Sequence, residues 1–242
     1  MRNLICLLLI ISSNVYANDE MLIMQFFGKD GISNKQSVYT GEMLTYYLDK
    51  PTLGESLPEG VDIQYRLLKR TSRNEIFAVL LSKDGKSQDW YIYFTQDHNI
   101  WKISAVRNLA LPGVFYMALQ ELDNKSDRTL EEEYQYQNIL LTIKPDSFLR
   151  NYLKENLAAF DKIIELAKSD QSATNKLAKK LNLNFVKVFE ESGIIDVNIG
   201  GTLDNSVGYI FVPEGSKIPI MSPDNYIYIE QVVGRWFIYK TT

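Results

Sequence analysis

The chain reads as an α+β protein of two related lobes, each a helix packed on a four-stranded antiparallel meander, with an all-helical connector between them. Three observations predict this. A Tyr/Ile/Trp-rich hairpin occurs twice, helix-period stretches crowd the middle of the chain, and short alternating stretches separated by Gly, Asn and Asp turns fill the rest. The first hairpin runs Tyr91-Ile92-Tyr93-Phe94-Thr95-Gln96, four residues, then Trp101-Lys102-Ile103. The second runs Tyr226-Ile227-Tyr228-Ile229-Glu230-Gln231, four residues, then Trp236-Phe237-Ile238. Matching residues at matching offsets make an internal repeat of roughly 135 residues. The composition that all such strands share is the competing explanation. The expected divisions are 1–17 signal peptide, 18–110 N-terminal lobe, 111–145 helical connector and 146–242 C-terminal lobe.

Residues 1–17 have the build of a secretory leader. Arg2 gives a positive start, Leu4 to Ile11 an apolar run, and Val15-Tyr16-Ala17 a small-residue site that predicts cleavage between Ala17 and Asn18. The apolar run is too short to span a bilayer stably. Cys6, the one cysteine, lies inside that leader, so the mature chain is expected to be cysteine-free and not lipidated. Loss of Arg2 leaves 25 basic against 30 acidic residues, a net charge of −5. Such a mild, unclustered charge argues against nucleic acid as a partner. No later stretch is apolar enough for a membrane span, and the expected location is the exterior or a bacterial periplasm.

Taken in order, residues 21–27 are an apolar run whose period does not distinguish strand from helix. Thr40 to Lys50 reads as a helix that Pro51 stops. Ile63 to Leu67 alternates, Thr71 to Asn74 turns, Ile76 to Leu81 is a buried run, and Asp84-Gly85 is a hairpin turn leading to the first repeat. Pro112 opens a helical region. Thr129 with Glu132 forms a capping-box pattern before Tyr134 to Ile143. Pro145-Asp146 opens the strongest helix, with Leu149, Leu153, Leu157, Phe160, Ile164 and Ala167 as its stripe, and a short helix follows at Asn175 to Leu181. Strands are expected at Phe185 to Phe189, Ile194 to Ile199 and Val207 to Val212. The Pro- and Gly-rich loop Pro213 to Asp224 then leads into the second hairpin.

Side chains alternate across a strand, so an even loop fixes which residues share a face. The first hairpin predicts Ile92, Phe94, Trp101 and Ile103 toward a core, with Tyr91, Tyr93, Lys102 and Ser104 on a face that tolerates water. The second predicts Ile227, Ile229, Trp236 and Ile238 toward a core, against Tyr226, Tyr228, Phe237 and Tyr239. Those last four are the candidate ligand- or partner-binding residues, because tyrosine offers a large apolar body with a hydroxyl at low entropic cost. Interlobe or helix packing is the alternative use for them.

Several chemistries find no footing. His98 is the one histidine and sits at a hairpin tip, which argues against zinc and a Ser-His-Asp apparatus; no metal site and no cofactor are expected. Nucleotide-binding glycine motifs are missing from the sequence. Asp123 to Asp127 glances at a calcium loop, but Lys125 and Tyr134 stand where ligands belong. Glu131, Glu132 and Glu133 fan around a first helical turn, where they favour the dipole. Asp196 and Tyr209, expected to face each other across the Ile194–Val212 hairpin, are the one weak acid/base candidate.

A helix against a curved antiparallel meander whose last strand carries Trp-x-Ile, here Trp101-Lys102-Ile103 and Trp236-Phe237-Ile238, resembles the cystatin-like folds, including the ketosteroid-isomerase-like superfamily. The resemblance spans about residues 40–108 and 146–242. It implies a cone-shaped sheet, and its enzymes use Asp, His and Tyr inside the cone, a set that does not map residue by residue here. The expected function is therefore an exported, non-enzymatic protein that binds a protein or small molecule. The alternatives are a cone-pocket isomerase or hydrolase using Asp196 and Tyr209, and an inhibitor or immunity-type protein that blocks a partner with the Pro213–Asp224 loop.

Overall fold

A computed structural model describes residues 19–202 and 204–242. The leader reading, with Cys6, Ala17 and Asn18, lies outside the described residues, apart from the sequence itself. The chain is mixed α and β and divides into two compact units, one ending at Arg107 and one beginning at Asn108. No helix among the described residues is long and apolar enough to cross a membrane.

In the first unit the ambiguous run is helical: α1 covers residues 19–27. Three short helices follow, α2 (Lys35–Val38), α3 (Gly41–Tyr46) and α4 (Leu53–Ser56). The sheet is the expected meander, β1 (Asp62–Arg70), β2 (Asn74–Lys83), β3 (Lys86–Asp97) and β4 (Ile100–Asn108), in spatial order β1-β2-β3-β4. The β2–β3 turn places both Asp84 and Gly85 at positive φ, the twist that a two-residue hairpin needs. The β3–β4 turn does the same with His98 and Asn99. That loop has two residues rather than four, and it is still even, so the face assignment survives. Ile92, Phe94, Trp101 and Ile103 join Leu22, Ile23, Phe26 and Phe27 of α1 in one core. The opposite face is a correction: Tyr91 and Tyr93 are as buried as the core residues, although they were expected to meet water. Ile76 and Ala78 of β2, their ladder partners, are buried with them, so β2 and β3 are withdrawn from solvent on both faces.

The second unit opens with α5 (Gly113–Asp123) and α6 (Leu130–Thr142). Thr129 and Glu132 cap α6 reciprocally, as their spacing predicts. The long helix expected from Pro145 is two helices, α7 (Asp146–Glu155) and α8 (Leu157–Ala167), separated at Asn156. Asn156 leaves helical geometry at φ −107°, ψ 15°, and its amide donates back to the Tyr152 carbonyl. The break shifts the phase of the apolar stripe, so Leu149, Leu153, Phe160 and Ile163 are buried and Ile164 is not. α9 (Gln171–Lys180) is capped by Asp170.

The second sheet departs from the predicted four-stranded meander. It has five strands, β5 (Phe185–Val188), β6 (Ile195–Gly201), β7 (Ser206–Phe211), β8 (Tyr226–Val233) and β9 (Trp236–Thr241), in the order β5-β6-β7-β9-β8. β9 pairs with both β7 and β8, whereas in the first unit β3 takes the inner place and β4 follows it outward. The two similar hairpins therefore sit in their sheets in opposite orders.

One face of this sheet packs on the helices through rings. Phe160 of α8 meets Tyr209 edge-on at 5.0 Å and Trp236 at 5.4 Å, and Trp236 Nε1 donates to Asp161 at 3.0 Å. At its end lies a buried ion pair, Lys240 Nζ to Asp146 Oδ1 at 2.7 Å. Beside it Arg150 meets Glu230 at 2.9 Å, and Glu230 accepts from the Tyr228 hydroxyl at 2.6 Å.

Candidate functional site

The face of the second sheet turned away from α8 carries a separate apolar cluster of Ile210, Val212, Ile229, Phe237 and Tyr239, with Ile194, Met221 and Tyr226 packed against it. The predicted binding quartet is split by this geometry. Tyr226, Phe237 and Tyr239 share the face, while Tyr228 points to the helices beside Lys240, its partner in the ladder. Ile229, expected with Trp236 and Ile238, pairs instead with Tyr239. The cause is a pair of register shifts in the β8–β9 ladder, between Gln231 and Val233 and between Tyr226 and Tyr228. One extra residue in a strand turns every side chain beyond it to the other face. Tyr226 is half-buried, and Phe237, Tyr239 and Tyr228 are buried.

The expected Asp196–Tyr209 dyad does not form. Tyr209 stands opposite Val197, one residue off the predicted register, so Asp196 and Tyr209 project from opposite faces. The Tyr209 hydroxyl donates to the Leu149 carbonyl at 2.7 Å, and burial holds its pKa well above the ordinary phenol value. Asp196 faces the other side and finds a different tyrosine: the Tyr239 hydroxyl donates to Asp196 Oδ1 at 2.8 Å. Gly208 makes this reach possible. It stands opposite Tyr239 on β9, and a Cβ there would lie 2.9 Å from the Tyr239 hydroxyl and 2.7 Å from the Val197 carbonyl. Without that Cβ the tyrosine lies across β7 and reaches β6.

Asn198 completes the cluster, its amide 3.5 Å from the Tyr239 hydroxyl and its Oδ1 3.3 Å from Asn184 Nδ2. Burial pushes the Asp196 carboxyl up to about 6, against the opposing pull of the Tyr239 hydrogen bond and the Lys187 charge. Burial, then the Asp196 charge, raises Tyr239 well above 10, so that hydroxyl keeps its proton. The available chemistry is a carboxyl that gains or loses charge near neutral pH, held by a permanent donor.

This carboxyl underlies a half-open surface. Phe185 and Lys187 of β5 stand opposite Asn198 and Asp196 in the ladder, hence on the same face. Phe189 follows, paired to Ile194, with the Lys187 ammonium 4.7 Å from its ring. The turn after Phe189 is tied to the Pro213–Asp224 loop. Ser216 Oγ donates to the Ser192 carbonyl, and the Arg235 guanidinium holds the Val212 and Pro213 carbonyls. The loop returns to the sheet where Ser222 N donates to the Tyr226 carbonyl at 2.9 Å. Between these anchors Ile218 is 47% and Ile220 60% exposed, and nearby Phe189 is 40% exposed. The surplus of bulky apolar side chains was not read from the sequence, although the loop itself was.

His98 is a solvated turn residue, 2.7 Å from the Asp97 carboxylate. The polar loop before α6 is tied by Lys125–Glu132 at 2.7 Å and Arg128–Glu133 at 2.6 Å. No group of three or more His, Cys, Asp or Glu side chains able to hold a metal occurs among the described residues. Comparison of the whole chain with protein-family models, curated proteins and solved structures finds no match, so the fold and this surface stand on their own geometry.

Proposed function

We propose that this is an exported, non-enzymatic binding protein that grips a partner protein through the end of the second sheet formed by Phe189 and the anchored Pro213–Asp224 loop. The observation that carries the reading is the exposure of Ile218 and Ile220 on a loop pinned at both ends. Exposed bulky apolar residues on a held backbone, rimmed by polar groups, favour association because little ordering entropy is spent on contact. Lys187 and Asp196 add polar, pH-sensitive character to the rim. Tyr226 is the member of the predicted quartet best placed to contribute, since it keeps part of its ring in solvent.

The inhibitor-type alternative uses the same loop and differs only in what the partner loses on binding. The isomerase or hydrolase alternative has less support, because Asp196 and Tyr209 fall on opposite faces. The cystatin-like resemblance draws support from the first unit, a helix on a four-stranded meander, and less from the β9-inserted second sheet. We read the internal repeat as one of hairpins rather than of whole lobes.

Site-specific photocrosslinking tests the reading. A benzophenone side chain at Ile220 or Phe189 in the exported protein should trap one partner in its native compartment, and one at Lys162 on α8 should not. Equal or absent trapping at all three positions refutes it.

A further inference from the structure

Lys187 stands between two groups that compete for one charge. It lies opposite Asp196 in the β5–β6 ladder, and Phe189 comes next on the same face, opposite Ile194. The Lys187 ammonium is 4.7 Å from the centre of the Phe189 ring, whose electron-rich face attracts it. On its other side the same charge acts on the half-buried Asp196 carboxyl, whose Oδ1 accepts from the Tyr239 hydroxyl at 2.8 Å. Side chains directly opposite in an antiparallel pair are in reach of each other, and so are the next two along one face. Lys187 is exposed and its stem is flexible, so a move from ring to carboxyl needs no change in the backbone.

Among the described residues, the titratable and charged groups that face Asp196 are Lys187 from β5, the Tyr239 hydroxyl from β9 and the Tyr226 ring from β8. Its partner on β7 is the uncharged Ile210. Burial, then the Asp196 charge, raises both phenols, so they keep their protons near neutral pH. The carboxyl, pushed up by burial to about 6, is the group that changes charge there. We propose that Lys187 is a cap on Phe189 that ionisation of Asp196 removes, so that the pH of the surroundings decides whether this ring is open to a partner. The proposal rests on the reading of Phe189 as part of the gripping surface. With Asp196 protonated, the ring is the stronger attraction and keeps the ammonium over a side chain that is 40% exposed. With Asp196 ionised, a full negative charge outweighs the ring's quadrupole and draws the ammonium across to β6. The ring is then bare, and binding through it is favoured above the midpoint of Asp196 and opposed below it.

NMR of the free exported protein between about pH 4 and about pH 8 tests the movement without any partner. The Lys187 ε-methylene should resonate upfield at the acid end, in the shielding region over the Phe189 ring, and lose that shift toward the alkaline end. Its midpoint should coincide with that of the Asp196 carboxyl carbon. Asp196→Asn should keep the upfield position throughout, and Phe189→Leu should lack it throughout while the carboxyl still titrates. Tyr239→Phe removes a donor to the carboxylate and should move both midpoints upward together. A Lys187 signal that stays fixed while Asp196 titrates, or that moves alike in Asp196→Asn, overturns the proposal. The benzophenone at Ile220 then reads the consequence: partner trapping should fall about two- to fivefold from about pH 8 to about pH 5 and stay level in Asp196→Asn. Level trapping in the unmodified background, with Lys187 seen to move, overturns the regulatory role. Absence of trapping at every pH refutes the gripping surface instead, and the NMR result is independent of it.

Discussion

Asp196→Asn should make this protein more stable, and only at higher pH. The carboxyl is held at about 6 in the fold against an ordinary 3.8. That difference of about two units corresponds to about 3 kcal/mol between the charged and neutral forms. A raised folded-state pKa contributes stability that is complete below the unfolded value and lost as pH rises through the folded value. The wild-type chain thus carries this cost in full once Asp196 is ionised, above about pH 7. Asparagine removes the charge and keeps an oxygen to accept from Tyr239, and the loss of the charge-assisted part of that bond is already contained in the net shift. The net expectation is a gain of up to about 3 kcal/mol near pH 8 and little or none near pH 4, where the wild-type carboxyl is already protonated. Urea unfolding of both chains across that range measures the difference, and the carboxyl 13C shift of Asp196 followed against pH measures its cause. Parallel stability curves, or an Asn variant that is the less stable chain at pH 8, would refute the argument that desolvation dominates this site.

Four further substitutions probe the rest of the frame. Trp101→Ala and Trp236→Ala each remove a buried indole, 5% and 2% exposed, and should each cost about 3–5 kcal/mol in chemical denaturation. Gly208→Ala should cost about 2 kcal/mol or more, because the Val197 carbonyl cannot withdraw; the Tyr239–Asp196 contact should loosen with it, read as a fall in the Tyr239 hydroxyl's protection in proton NMR. Lys240→Met removes one partner of a buried ion pair and should cost about 3 kcal/mol, with the double change Lys240→Met/Asp146→Leu recovering much of it in the same unfolding assay.

Local signals in the sequence were sound where nothing long-range intervened. The Asp84-Gly85 turn leaves the β2–β3 ladder in step, and the core face of β3 and β4 follows from alternation alone. The Thr129–Glu132 cap is equally local. In the second hairpin the same alternation fails, because the extra residue near Val232 has no glycine or proline to announce it. A slip of one residue likewise separates Asp196 from Tyr209 and gives Asp196 to Tyr239, 43 residues away in the chain. The Asn156 break had a visible cue, an asparagine inside a helical period, which competes with the helix by bonding back to a carbonyl. The place of β9 between β7 and β8 had none, since a strand's pattern tells which face is buried but not which neighbour it chooses.

The insertion of β9 also sets the sequence of events as the chain is made. β8 emerges before β9, yet β9 is the strand that joins it to the sheet, so β8 has nothing to pair with while it waits. β7, meanwhile, shows an open edge of backbone donors and acceptors, the kind of edge that invites a stray strand. The contact of Phe160 on α8 with Trp236 likewise waits for β9. The second unit is therefore a structure that closes last strand first, with its keystone arriving at the end. The second sheet therefore cannot reach its native strand order until its last strand, β9, is available.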